Sequence, residues 1–167
     1  MQASPVQTRS IVYRRIEITP FLTSDHLLDE TISAFELDWN GIRLEAATGC
    51  NPVEAKDSEA PDFVVSLRLK IKNETGKTCP YQIDVEALGL ISVNFKLPKE
   101  RRLELATVNG LAIVYGAVRE LVTSMTSRME YGPLVLPGVN FQDQVTTSPP
   151  QEDDSSSTER PSLTRIR

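Results

Sequence analysis

Few side chains in this sequence are suited to covalent or metal chemistry. There is one histidine, His26, and there are two cysteines, Cys50 and Cys79. The thiols lie 29 residues apart with no CxxC spacing. With a single imidazole they cannot supply the ligands of a tetrahedral zinc site. A nucleophilic triad needs a histidine held by regular elements, yet His26 falls in "LTSDHLLDETIS" (22–33), which reads as a loop. Neither GxxxxGK[ST] nor GxGxxG occurs, which removes the common phosphate-cradling loops. Carboxylates are plentiful, but they alternate onto faces expected to meet solvent, and no pair stands out as an acid–base couple. The sequence therefore predicts no enzyme, no metal and no cofactor. What remains is non-covalent chemistry on apolar surface.

That surface is concentrated in "RELVTSMTSRMEYGPLVLPGVNF" (119–141). Its first half is a good helix. Its second half is apolar, yet Gly132, Pro133, Pro137 and Gly138 prevent both a continued helix and an inner strand. Tyr131, Leu134, Leu136, Val139 and Phe141 are the candidate residues for holding apolar polypeptide, and Met125 and Met129 add adaptable thioethers. Leu88 and Leu90 interrupt an otherwise polar strand face beside Gly89. Either a bulge re-aims them into the core or they form a functional apolar patch, and they join the five as the sheet-side candidates for holding polypeptide.

The elements that must position these residues follow from periodicity. Residues 1–10 are polar and read as a flexible start, and Ile11 to Phe21 alternate as a strand. In 34–46 Phe35, Leu37 and Trp39 share a face, and Asn40-Gly41 marks a turn or bulge. Residues 47–62 read as an acidic loop. "FVVSLRLKIK" (63–72) and "YQIDVEALGLISVNFKL" (81–97) carry the clearest period of two, joined by NETG. Phe63, Val65, Leu67, Leu69 and Ile71 face one way, as do Tyr81, Ile83, Val85, Ala87, Ile91, Val93, Phe95 and Leu97. This pattern predicts an antiparallel sheet with one face covered. Residues 98–110 read as a charged crossover, with Asn109 capping a helix from about Gly110 to Arg128. Leu111, Val114, Val118, Val122, Met125 and Met129 would pack on the sheet. Ala112, Ile113, Gly116, Ala117, Glu120 and Leu121 form an additional surface, most simply an interface with another copy of the chain.

After Gln142 the composition changes to Pro, Ser and acids, so residues 143–167 read as a disordered tail. The net charge is −5, and the tail holds five acids and three arginines. An acidic body argues against nucleic acid as a partner. No apolar stretch of about 18 residues and no leader-like segment is evident, so the expectation is a cytoplasmic chain without membrane insertion.

The stretch "RELVTSMTSR" followed by "GPLVLPGVNF" resembles the signature region of the SecB export-chaperone family. There a long helix ends in a Thr-Ser…Ser-Arg stretch, and an apolar crossover closes on Pro-x-Asn-Phe or Pro-Val-Asn-Phe. The residues that carry the likeness are Arg119, Glu120, Thr123, Ser124, Met125, Ser127, Arg128, Leu134, Leu136, Val139, Asn140 and Phe141, with "DVEALGLI" as a weaker echo in the hairpin. The resemblance implies an α+β fold over residues 11–142. A four-stranded antiparallel sheet would carry a long helix on one face, followed by the apolar crossover. It implies an ATP-independent holdase, a homotetramer built as a dimer of dimers, and unfolded client proteins held in apolar grooves. The clients would be preproteins or, as in solitary members of the family, an antitoxin. Docking on the translocase motor SecA would involve Asp84 and Glu86. The sequence departs from the family in three ways. The closing proline is displaced to Pro137, nothing after Gln142 can form the family's second helix, and the acidic residues of the first strand have no counterpart. An oligomeric adaptor without holdase activity is the rival reading.

Overall fold

The computed structural model describes residues 4–21, 33–34, 37–53, 62–73, 79–94 and 96–145. Four strands, β1 (Val6–Pro20), β2 (Leu44–Val53), β3 (Asp62–Ile71) and β4 (Tyr81–Val93), precede one long helix, α1 (Lys99–Thr126), and a short 3-10 turn at Gln142–Val145. The sheet is antiparallel with order β1-β4-β3-β2, so β1 and β2 are its edges.

Alternation builds the core as the sequence requires. Phe63, Val65, Leu67, Leu69 and Ile71 are buried on β3, opposite Ile91, Gly89, Ala87, Val85 and Ile83 of β4. Helix α1 covers this face with Ala106, Leu111, Val114, Val118 and Val122. Its approach is close because two glycines sit in the contact. A Cβ on Gly110 would lie 2.7 Å from Val65 Cγ2, and one on Gly89 2.6 Å from Val114 Cγ2. Contrary to the expectation that no apolar stretch of about 18 residues occurs, residues 101–126 are apolar and long enough to cross a bilayer, but the face turned to the sheet is buried, as in a core helix.

Several expectations need correction. The polar start is not all frayed, since the strand begins at Val6 and uses the polar residues as an exposed edge. The segment 47–62 is not all loop: Leu44–Val53 is the edge strand β2, its Ala46, Thr48 and Cys50 paired with Leu69, Leu67 and Val65. Helix α1 begins at Lys99, with Pro98 at the N-cap position and no side-chain cap, and Asn109 lies inside it, donating from Nδ2 to the Leu105 carbonyl. The charged run 99–105 reads as a crossover only by its polarity. Its lysine, arginines, glutamates and leucines are strong helix formers, and Ala106 anchors that half to the sheet.

The Asn40-Gly41 turn is present, with Gly41 at φ +84° and Ile42 N–H donating to Trp39 O. Loop 22–33 lies almost wholly outside the described residues, and so do Phe35, Phe95, most of the NETG turn and the tail beyond residue 145. Asn73 closes the β3–β4 connection: its Nδ2 donates to Cys79 O and its Oδ1 accepts from Cys79 N–H, both at 2.8 Å.

Candidate functional site

The run from Ser127 to Phe141 leaves α1 through Gly132, whose φ of +76° reverses the chain, and returns across the helix as an irregular strap. An irregular segment can be buried only if its peptide groups find partners. Here side-chain hydroxyls supply them. Tyr81 Oη donates to Gly132 O (2.8 Å) and accepts from Tyr131 N–H (3.1 Å). Thr126 Oγ1 accepts from Leu134 N–H (2.8 Å) while donating to Val122 O (2.7 Å). Thr123 Oγ1 donates to Leu134 O (3.0 Å), and Tyr115 Oη to Pro137 O. The displaced proline is thus tied to the helix through its carbonyl.

The strap's candidate residues fall into two groups. Leu134 and Leu136 are fully buried, and Tyr131 and Phe141 nearly so, forming edge-on aromatic contacts with Tyr81 and Tyr115. Val139 is 43% exposed and faces out. Leu88 and Leu90 lie on the opposite face of the sheet from the strap, so no single groove contains all seven. Neither leucine is re-aimed into the core, because β4 pairs with β3 without a bulge. The irregularities sit on β1, where Arg9 and Arg14 are the extra residues.

On the helix side, a cleft of about 290 Å³ opens between β2, the first half of α1 and the 3-10 turn. Thr48, Gly49, Cys50, Leu103, Thr107, Leu111 and Gln144 line it. Gln144 is held by the Thr48 hydroxyl at 2.9 Å. Burial pushes the Cys50 thiol above its ordinary pKa, with a hydrogen bond to Thr107 opposing it. A peptide segment laid here would meet a mixed wall of leucine, threonine and glutamine and the outer edge of β2, which pairs with no strand among the described residues, the arrangement used in strand addition. Apart from Leu111, the sequence does not single these residues out, because 47–62 and 98–110 read as loop and crossover and Gln144 as part of the tail. The outward side of α1 carries Ala112, Gly116 and Glu120 exposed, with Ile113, Ala117 and Leu121 half-buried.

On the outer face of the sheet Asp84 is the hub of an ion-pair cluster. Arg68 grips it with two bonds of 2.8 and 2.7 Å, Arg15 approaches to 3.1 Å and Lys70 to 3.8 Å. The hydrogen bonds from Arg68 are the main reason its carboxyl is held below the usual range; burial opposes, and the charges of Arg68, Arg15 and Lys70 reinforce the shift. Glu86 pairs with Arg14 at 3.5 Å. Both candidate docking carboxylates face outward, but their charge is engaged by cations of the same chain.

The architecture is thus a four-stranded antiparallel sheet with one face under a long helix, a buried strap across that helix and a cleft beside strand β2. The profile of the SecB family, preprotein translocase subunit SecB, matches residues 47–148, more than half of the sequence, and the chain belongs to that family. Among solved structures it is similar to a Mycobacterium tuberculosis SecB-like chaperone in complex with a peptide from an antitoxin. The identity is 20% and the TM-score 0.50, over 81% of this chain and 88% of that one. A Streptococcus agalactiae protein aligns at 11% identity and TM-score 0.49, over 80% and 97% of the two chains. Comparison with curated proteins gives no match.

Proposed function

We propose that this chain is an ATP-independent holdase that keeps non-native polypeptide segments in solution, acting in the cytoplasm. The observation that supports it most directly is the cleft beside the outer edge of β2, which has no strand partner among the described residues. A chaperone of many clients needs apolar area and unpaired backbone rather than a shaped pocket. At about 25 cal/mol per Å² of apolar area buried, an extended client gains from such a groove without any specific contact. Val139 rims the strap, while Tyr131, Leu134, Leu136 and Phe141 form the packed layer behind it and come into contact with clients only if the strap lifts. The small outward stripe of α1 is the surface on which we propose that copies assemble into a homotetramer.

The test is suppression of aggregation. At a one-to-one ratio with assembled protein, several unrelated unfolded clients should aggregate more slowly; no slowing with any of them would favour the adaptor reading. A second reading has its own support, since the similar mycobacterial chaperone was solved with an antitoxin peptide. If this chain prolongs the life of one labile antitoxin and ignores general clients, the dedicated role holds. Delivery to SecA has less support, because Asp84 is held by Arg68, Arg15 and Lys70.

A further inference from the structure

The outer face of the sheet carries a feature that the holdase reading leaves unused. Cross-strand pairs bring Val12 beside Leu88 and Leu90 beside Val64, giving a short apolar strip across β1, β4 and β3. Val12 is 57% exposed, and the other three are half-buried with nothing above them among the described residues. Charged groups frame the strip at both ends. Arg9 pairs with Asp62 at one end, and Arg14, Arg15 and Arg68 lie with Glu86 and Asp84 at the other.

The two signs are not equally presented. The side chains of Arg9, Arg14 and Arg15 are 54%, 64% and 48% exposed, whereas Asp62, Asp84 and Glu86 are 17%, 17% and 27% exposed; Glu17, paired with Arg15, is the exposed carboxylate of the cluster at 49%. Asp62, Asp84 and Glu86 lie under the guanidinium groups, and each guanidinium has five N–H donors, more than these contacts use. We propose that this face is a second interaction surface, fitted to an acidic segment of a partner protein that also bears apolar side chains. The apolar groups cover Val12, Leu88, Leu90 and Val64, while carboxylates take the outward donors of Arg14 and Arg15. This polarity is opposite to that of an acidic face that attracts a cationic partner.

The probe is a fluorescein-labelled synthetic peptide of about twelve residues with alternating glutamate and leucine, compared with its lysine–leucine twin. The full-length protein should bind the acidic peptide about tenfold or more tighter than the twin, and added salt should weaken it. Arg14→Gln with Arg15→Gln, and separately Val12→Ser with Val64→Ser, should each weaken it by about tenfold or more, equivalent to about 1.4 kcal/mol. Circular dichroism and client holding should be unchanged, which keeps this test separate from that of the holdase. Equal binding of the twin, or indifference to both double variants, overturns the proposal. So does a change of native mass in Val12→Ser with Val64→Ser, which would make the strip a contact between copies. Tenfold tighter peptide binding on neutralising Glu152, Asp153 and Asp154 would assign the face to the chain's own tail and also overturn it.

Discussion

Tyr81→Phe tests whether hydroxyls hold the strap. The substitution keeps the ring and its edge contact with Tyr131, whose centroid lies 5.8 Å away, so no cavity opens. It deletes one oxygen that serves two peptide groups, Tyr131 N–H and Gly132 C=O. An orphaned buried donor costs about 1–3 kcal/mol. Tyr131 N–H is buried and bears that cost in full, while Gly132 is half-buried and its carbonyl recovers part of its bonding from water. The sum is about 2 kcal/mol. Urea titration should show a lower midpoint at unchanged slope, and thermal melting should fall by roughly 4–8 °C for a chain of this size. Both must be read at one protein concentration, because assembly adds to apparent stability. A loss below about 0.5 kcal/mol would refute the reasoning and leave side-chain packing alone as what holds the strap.

Thr126→Val orphans Leu134 N–H and should cost about 1–3 kcal/mol, whereas Thr126→Ser keeps the hydroxyl and should lose less in the same titration. Gly110→Ala should destabilise despite alanine's better helix propensity, since its Cβ would meet Val65; about 1–3 kcal/mol of overpacking outweighs about 1 kcal/mol of propensity, as denaturation will show. Gly116→Ala meets nothing within the chain and should stabilise it by about 1 kcal/mol unless another copy packs there, in which case native mass spectrometry will record a weakened assembly. The Asp84 carboxyl is lowered in the fold, so its contribution is complete at neutral pH and is lost as the pH falls through that lowered value, below the ordinary 3.8; Asp84→Asn should flatten this acid limb of the stability curve. Burial pushes the Cys79 thiol up to about 11, so alkylation at pH 8 should label Cys50 first and Cys79 only on unfolding.

The hairpin of β3 and β4 was legible because alternation over ten or more residues leaves one assignment of faces. The sheet-facing stripe of α1 from Leu111 to Val122 was legible for the same reason at helical period. The first half of α1 was not, since Lys99 to Leu105 show charge without apolar periodicity, and the fully buried residues of that half are the small Ala106 and Gly110. β2 was hidden by Gly49, Asn51 and Pro52, residues that an edge strand tolerates because one of its sides makes no ladder bonds. Burial of Leu134 and Leu136 rests on Tyr81, Thr123 and Thr126, which lie up to 55 residues away, and no local pattern reports it. The trace such hydroxyls leave in sequence is a Tyr or Thr at an otherwise apolar periodic position. The grip of Arg68 and Arg15 on Asp84 joins three strands and was equally invisible.

Asn73 has a practical consequence. By bonding both the N–H and the C=O of Cys79, this one amide fixes the spacing of β3 and β4 where their connection begins and ends. The residues between those two points are relieved of setting register, and the cost of lengthening a closed loop grows only slowly with its length. A reporter domain or affinity handle spliced between Asn73 and Cys79 should therefore leave the hairpin's register intact. That would be a permissive insertion point far along the chain from strap and cleft alike.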